Sequence, residues 1–243
     1  MNTTNFSYTP HSSVNIYSLS PFADRAEAGS LLAQAIKEHG SFPSPLLLAL
    51  PRGGVPVACQ VAKELLLPLD IFLVRKFCLP SQPEVQLGLV ASGGIHILDG
   101  EAPYSHSDQH LLNAALAAEH AELERRAKEY RRSRPAASIA GRSVIVIDDG
   151  LTTGATMRNA IRALRQLSPA CIVAAVPVAS PEVCAELKSE ADSVVCPRTP
   201  SSFFSVRRCY RDFSPVLDRD IRDLLDSVSS LSRQSTQSRA FHA

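Results

Sequence analysis

Two adjacent carboxylates at the end of an apolar run are the residues with the clearest chemical meaning in this chain. In VIVIDDGLTTGATM (144–157), four branched aliphatic residues lead directly into Asp148 and Asp149. Gly150, Thr152, Thr153, Gly154, Ala155 and Thr156 follow, and Met157, Ile161 and Leu164 then recur at helical spacing. A strand feeding a helix through a short loop puts that loop at the carboxyl end of a sheet, where open α/β folds hold their ligands. Glycine and small hydroxyl residues leave backbone N–H groups uncovered. The positive end of the helix dipole adds to them, so the loop reads as a phosphate cradle. Carboxylates beside such a cradle suit a sugar phosphate, whose hydroxyls donate to the acids while its phosphate sits on the loop. The lysine of GxxxxGK[ST] and the spacing of GxGxxG are missing, which excludes a P-loop and a dinucleotide fingerprint.

A second loop has the same build. LLLALPRGGVPVA (46–58) is another apolar run, followed by Arg52, Gly53 and Gly54 and then a helix. Two glycines after a strand let the backbone approach an anion closely. RGG alone is more often a plain turn, and it gains weight from its pairing with the acidic loop. In VRKFCLPSQPEVQLGLVASGG (74–94), Arg75 and Lys76 stand at a strand end before a polar, Pro-interrupted stretch with few apolar anchors. They are either charge for an anionic ligand or a solvated pair, and Glu84 and Gly88 receive no role.

Apolar spacing gives the elements that must position these loops. Ser20-Pro21 opens a helix with Ala28, Leu31, Leu32, Ala35 and Ile36 on one face. Strands are expected over 46–50, 70–74, 144–147 and 171–178 and near 194–195. Helices are expected over 55–67, 108–134, 154–167, 181–190 and 217–231, and 87–90 with 95–98 reads as a hairpin. Strands that are apolar throughout and alternate with helices predict an α/β fold with a mostly parallel sheet and helices on both faces. Residues 21–231 form one domain in this reading. Its small hood subdomain lies at about 197–216, rich in Arg, Phe and Pro. Residues 1–20 are expected to be a flexible arm and 232–243 a disordered tail. The charged run 119–134 reads as a solvated helix face, with pairing into a homodimer as the alternative.

Composition narrows the function classes. The chain has 243 residues, 45% hydrophobic and 20% charged, enough for a sizeable core. With 25 basic against 24 acidic side chains the net charge is +1, which argues against a nucleic-acid partner. No run of 18 apolar residues exists, so no membrane-spanning helix is expected. The six cysteines are scattered singly, without metal-ligand spacing, and read as reduced thiols. The uncharged N-terminal stretch lacks the pattern of a secretory signal, so a cytoplasmic location is expected. The seven histidines are dispersed, and no Ser-His-Asp or Cys-His arrangement is readable.

DDGLTTGAT resembles the signature of type I phosphoribosyltransferases, which bind 5-phosphoribosyl-1-diphosphate (PRPP). The resemblance implies that Asp148 and Asp149 hold the ribose hydroxyls and that Gly150, Thr152, Thr153, Gly154, Ala155 and Thr156 hold the 5′-phosphate. It makes Arg52, Gly53 and Gly54 the diphosphate loop, which in the family often carries a cis non-proline peptide. It makes 76–86 the lid over the diphosphate, to which Arg75 and Lys76 contribute catalytic charge. AELERRAKEYRRSRP (121–135), AGRSVIVIDDGLTTGATMRNAIRALR and FFSVRRCYRDFSPVLDRDIRDLL are similar to a subgroup whose substrates are poorly defined. This likeness covers about residues 22–226. VRRCY (206–210) departs from the subgroup's Gly and Trp before the Tyr, which adds Arg207 and Arg208 near the acceptor.

The implied activity belongs to nucleotide metabolism. It is transfer of the phosphoribosyl group to an unidentified nitrogenous base-like acceptor, with release of diphosphate. Mg²⁺ is the implied cofactor, bound through substrate oxygens with no protein ligand directly assigned and with water-mediated contact to Asp148 and Asp149. The alternative is a non-catalytic PRPP-binding regulatory protein. Synthesis of PRPP itself would need an ATP site, of which the sequence shows no sign. Relatives that use 6-oxopurines carry an aspartate at the position of Thr152, so hypoxanthine and guanine are expected to be poor acceptors.

Overall fold

The computed structural model describes residues 20–78, 86–99, 106–132 and 134–240. In chain order its elements begin with α1 (Arg25–His39), β1 (Pro45–Ala49), α2 (Gly54–Leu65), β2 (Leu69–Ile71), β3 (Val74–Phe77), β4 (Gly88–Ala91) and β5 (Ile95–Leu98). They continue with α3 (His106–Arg131), β6 (Ser143–Ile147), α4 (Ala155–Arg165), β7 (Cys171–Ala175), α5 (Pro181–Leu187), β8 (Ser193–Val195) and α6 (Asp218–Ala240). A short 3₁₀ turn spans Val206–Cys209.

The unbroken apolar strands form a five-stranded parallel sheet in the order β2-β1-β6-β7-β8. Successive side chains of a strand point to opposite faces, and both sets here are buried. Leu47, Ala49, Ile145, Ile147, Val173 and Ala175 pack into a core with α1, α2, α3 and α6. Their neighbours Leu46, Leu48, Val144, Val146, Ile172 and Ala174 pack into a second core with α4 and α5. This is the α/β architecture expected from the sequence, a mostly parallel sheet with helices on both faces.

Three elements differ from expectation. The first helix is not opened by Ser20-Pro21: it begins at Arg25 with Asp24 as its cap, while Phe22 bridges to Tyr210. The strand expected over 70–74 divides: Leu69–Ile71 stays in the parallel sheet, whereas Val74–Phe77 starts a separate antiparallel sheet, β3-β4-β5. Asp70 fixes the break. Its carboxylate accepts from the Ile71 and Ala137 amides at 2.8 Å and from Arg131 at 2.7 Å, and Leu73 N–H turns to Ser92 Oγ at 2.9 Å. The last helix runs to Ala240, past the expected end at 231 and into the expected disordered tail. The composition there favours disorder, but no Gly or Pro interrupts the segment and nothing breaks the helix. The expected arm lies outside the described residues apart from Ser20. No helix among the described residues is long and apolar enough to cross a membrane, and all six cysteines are free.

Candidate active site

The sheet order reverses between β1 and β6: α2, which follows β1, packs on one face and α4, which follows β6, packs on the other. Loops that diverge to opposite faces open a crevice at the carboxyl ends of their strands, the usual place for a ligand in such folds. The two glycine-containing loops singled out in the sequence are the two at this point.

The helix starts there are built differently from those of α1 and α5. Asp24 caps α1 by accepting from the Ala26 and Glu27 amides, and Ser180 caps α5 by accepting from Val183. By contrast, α2 starts after Gly53 and α4 after Gly154, each without a side-chain cap and with no acidic residue in its first turn. At α4 the Ala155 amide donates to Thr153 Oγ1 at 3.4 Å and the rest of the first turn is open to an outside acceptor, where the dipole favours an anion. At α2 the Gly54 and Val55 amides already donate to the Leu50 and Arg52 carbonyls and Pro56 has no N–H, so that loop offers close approach and Arg52 instead. Gly154 has φ of 71°, a left-handed conformation that glycine adopts freely. Thr152, Thr153 and Thr156 are exposed around it, and Arg158 holds the Thr153 carbonyl while pairing with Glu186 at 2.9 Å.

Asp148 and Asp149 leave the end of β6 into the crevice. The Asp149 amide donates to Asp148 Oδ1 at 2.9 Å. Burial, and then the neighbouring Asp149 charge, push the Asp148 carboxyl well above the ordinary carboxylate range. Burial also raises Asp149, and the Arg25 guanidinium opposes it. The first loop closes directly on this pair. A Cβ on Gly53 would lie 2.1 Å from Asp149 Oδ2, and one on Gly54 would lie 2.5 Å from the Ile147 carbonyl oxygen. Only glycine lets the two loops approach this closely. The Pro51–Arg52 peptide between β1 and this contact is cis.

Beside the loops lies a cleft of about 160 Å³ lined by Arg52, Arg75 and Thr156 together with Arg126 and Tyr130 of α3. Each cation on it holds a carboxylate of the protein: Arg52 pairs with Asp218 at 3.1 Å, Arg75 with Glu119 at 2.9 Å and Arg126 with Glu122 at 2.6 Å. Lys76 is exposed and does not line the cleft. Residues 79–85 of the expected lid, with Glu84, lie outside the described residues. Gly88 is explained by packing, because a Cβ there would lie 2.0 Å from the Ile97 carbonyl oxygen on the paired strand.

On the other side of the acids, the segment 203–213 packs against the start of α1. Tyr210 is buried between the rings of Phe22 and Phe213, with centroids 5.2 and 5.1 Å away, and its hydroxyl donates to the Asp149 carbonyl at 2.6 Å. Phe204 is 69% exposed with Arg208 over its ring, and Arg207 is exposed.

Three residues at the site receive no site role from the sequence. Arg25 bonds Asp149 from a position 124 residues away in sequence. Tyr130 reads from sequence only as a marker of the apolar face of its helix, with Leu123 and Ala127, and Arg126 belongs to the run read as a solvated face. That reading holds for Arg125 and Lys128, which pair with acids of the same helix, but Arg126 lines the cleft and Arg131 is buried on Asp70. Four-residue spacing of Arg126 and Tyr130, on the same helix face as the apolar Leu123, was the available signal.

A family model of the phosphoribosyl transferase domain matches residues 22–213. Proteins from two Mycobacterium tuberculosis strains, H37Rv and CDC 1551, provisionally named phosphoribosyl transferases, are each 38% identical over 206 residues. The match covers 84% of this chain and 46% of theirs, so the chain spans about half the length of these relatives. The crystal structure of TT1426 from Thermus thermophilus is 43% identical with a TM-score of 0.72, covering 85% of this chain and 98% of that one. With its acidic pair and both glycine loops inside the matched region, the chain belongs to the phosphoribosyl transferase family.

Proposed function

We propose that the chain binds PRPP in the crevice and transfers its phosphoribosyl group to a nitrogen of a base-like acceptor, releasing diphosphate. The observation that carries this reading is the convergence of three anion- or hydroxyl-binding devices on one topological switch point. Asp148 and Asp149 accept hydrogen bonds from the ribose hydroxyls. The uncapped start of α4, with Gly150 and Thr152 to Thr156, holds the 5′-phosphate. The loop before α2, with Arg52, Gly53 and Gly54, holds the diphosphate. The Arg52–Asp218 pair is half-exposed and therefore weak, so Arg52 can exchange that carboxylate for a diphosphate oxygen.

The bond from the anomeric carbon to the diphosphate oxygen breaks, a bond from that carbon to the acceptor nitrogen forms, and the nitrogen's proton leaves to solvent or to the diphosphate. Positive charge develops on the ribose ring, so the protein's contribution is positioning and charge stabilisation. Arg75, which lines the cleft, would stabilise the departing diphosphate.

Among the described residues no group of three or more His, Cys, Asp or Glu side chains is placed to hold a metal ion. The acidic pair nonetheless offers hard oxygens beside the phosphate loops. This fits Mg²⁺, which keeps waters and takes its remaining oxygens from substrate phosphates, with Asp148 and Asp149 reached through water. When bound, the ion offsets the charge of the diphosphate.

The acceptor lies between the acidic pair and the segment 203–213, where Phe204 offers an exposed face and Arg207 and Arg208 offer planar donor forks for a carbonyl or carboxylate. Thr152 cannot act as a base near neutral pH. Assays of adenine, uracil, orotate, hypoxanthine and guanine with PRPP and Mg²⁺ are expected to show diphosphate release with at least one acceptor and little with the two 6-oxopurines. Efficient guanine or hypoxanthine turnover would overturn the role given to Thr152. PRPP binding without turnover of any base would favour a regulatory protein.

A further inference from the structure

Arg25 sits outside every motif of the chain, yet it makes the most direct side-chain contact with the acidic pair. Its Nε donates to Asp149 Oδ2 at 2.9 Å, and both side chains are nearly out of solvent, at 11% and 13% exposure. The guanidinium is held elsewhere as well: NH1 donates to the Ser214 carbonyl at 2.9 Å, and the group lies 3.9 Å from the centre of the Phe213 ring. Asp149 is held from a second direction by the Tyr210 hydroxyl on its carbonyl. Gly53 lies flat against its carboxylate. The charged or titratable groups around this contact are Asp148 on β6, Tyr210, and Asp212, which the Arg25 charge also reaches.

We infer that Arg25 is a positioning residue for the ribose site: it fixes Asp149 in one rotamer, with Oδ2 engaged and Oδ1 left to a ligand hydroxyl. The inference rests on the proposed reading of Asp149 as a ribose ligand. Its physical basis is that two adjacent carboxylates in a crevice repel one another and lack water. An unanchored Asp149 would turn away from Asp148, and the ligand would have to restore the geometry at its own cost. A planar fork fastened at its far end by Ser214 and Phe213 prevents this. It also ties the donor-binding acid to the strap over the acceptor side.

The test compares three ligands in Arg25→Met, Arg25→Gln and Arg25→Lys by calorimetry. PRPP with Mg²⁺ and ribose 5-phosphate both present hydroxyls to Asp149, whereas inorganic phosphate needs only the loop at 150–156. The expected result is a loss of at least about tenfold in affinity for PRPP and ribose 5-phosphate in Arg25→Met. Phosphate affinity should be unchanged, and Arg25→Lys should recover part of the loss because it keeps a charged donor. If the Met variant does not fold, the order wild type, Lys, Gln in ribose 5-phosphate affinity at constant phosphate affinity supports the same role. Equal loss for all three ligands would show a general scaffold role, and no loss would show that Asp149 needs no support; either result overturns the inference while leaving PRPP binding by the wild type intact. Failure of the wild type itself to bind PRPP would instead overturn the proposed function, and the role of Arg25 with it.

Discussion

Replacing Asp148 and Asp149 together by Asn is expected to abolish PRPP binding while the protein stays folded. Each acid would take a hydrogen bond from a ribose hydroxyl, charge-assisted at roughly 1.5–3 kcal/mol where the acid is ionised and roughly 0.5–1.5 kcal/mol where burial keeps it protonated, so losing both lowers affinity at least about thirtyfold. Calorimetry with Mg²⁺ and PRPP measures it, and unchanged affinity would remove the acids from the ribose site. The single change Asp148→Asn separates binding from stability. The native Asp148 carboxyl is held above its ordinary value by burial and by the Asp149 charge. Between the unfolded and folded values the native state therefore binds more protons than the unfolded one, and stability falls as pH rises through that window. Asn at 148 carries no charge, and its Oδ1 still accepts from the Asp149 amide. The variant should melt above the wild type at neutral pH, and the gap should close as pH falls toward the ordinary carboxylate range. A lower melting temperature for the variant at neutral pH would show that Asp148 supports the fold.

The parts of this site that were legible in the sequence are those made by contiguous residues. Strand, loop and helix of 144–165 follow one another without a break, so the acids, the glycines and the helix start are read as a unit. The same holds for 45–65. Apolar runs lacking polar alternation correctly implied a sheet covered on both faces, because each run feeds two cores at once. Tertiary contacts were not legible. Nothing around Arg25 marks it as the partner of Asp149, since the contact depends on how α1 packs against the crevice. The division of 69–77 between two sheets depends on Asp70 finding Arg131 and Ala137, more than 60 residues away. The α3 run that reads as a solvated face mixes surface pairs with Arg126 and Arg131, and charge alone does not distinguish the two faces of a helix. The two glycines of the first loop fall between these cases. Their presence signalled close approach, but only the fold shows that the object approached is the carboxylate of Asp149.

That contact makes Gly53→Ala a sharp test of the site. Gly53 has φ of −62° and ψ of −35°, values that alanine adopts without strain, so the backbone carries no objection to the change. The obstacle is the added Cβ, which would lie 2.1 Å from Asp149 Oδ2, 2.5 Å from Cγ and 3.0 Å from Oδ1. An aspartate free to rotate would step aside cheaply. Here Oδ2 is tied to Arg25 and the Asp149 carbonyl to Tyr210, so the carboxylate moves away from its place only by breaking one of those bonds. A displacement on the order of 1 Å in a group that positions substrate costs about a hundredfold. Gly53→Ala should therefore lose PRPP affinity by about that factor. Its melting temperature should fall, because loss of the nearly buried Arg25 contact outweighs the gain of about 0.4–1 kcal/mol from a less flexible unfolded chain. Binding of inorganic phosphate to the loop at 150–156 should persist, since Gly53 does not touch it. PRPP affinity equal to the wild type would mean that Asp149 binds its ligand from a different rotamer, and the packing of the two loops would then carry no part of the recognition.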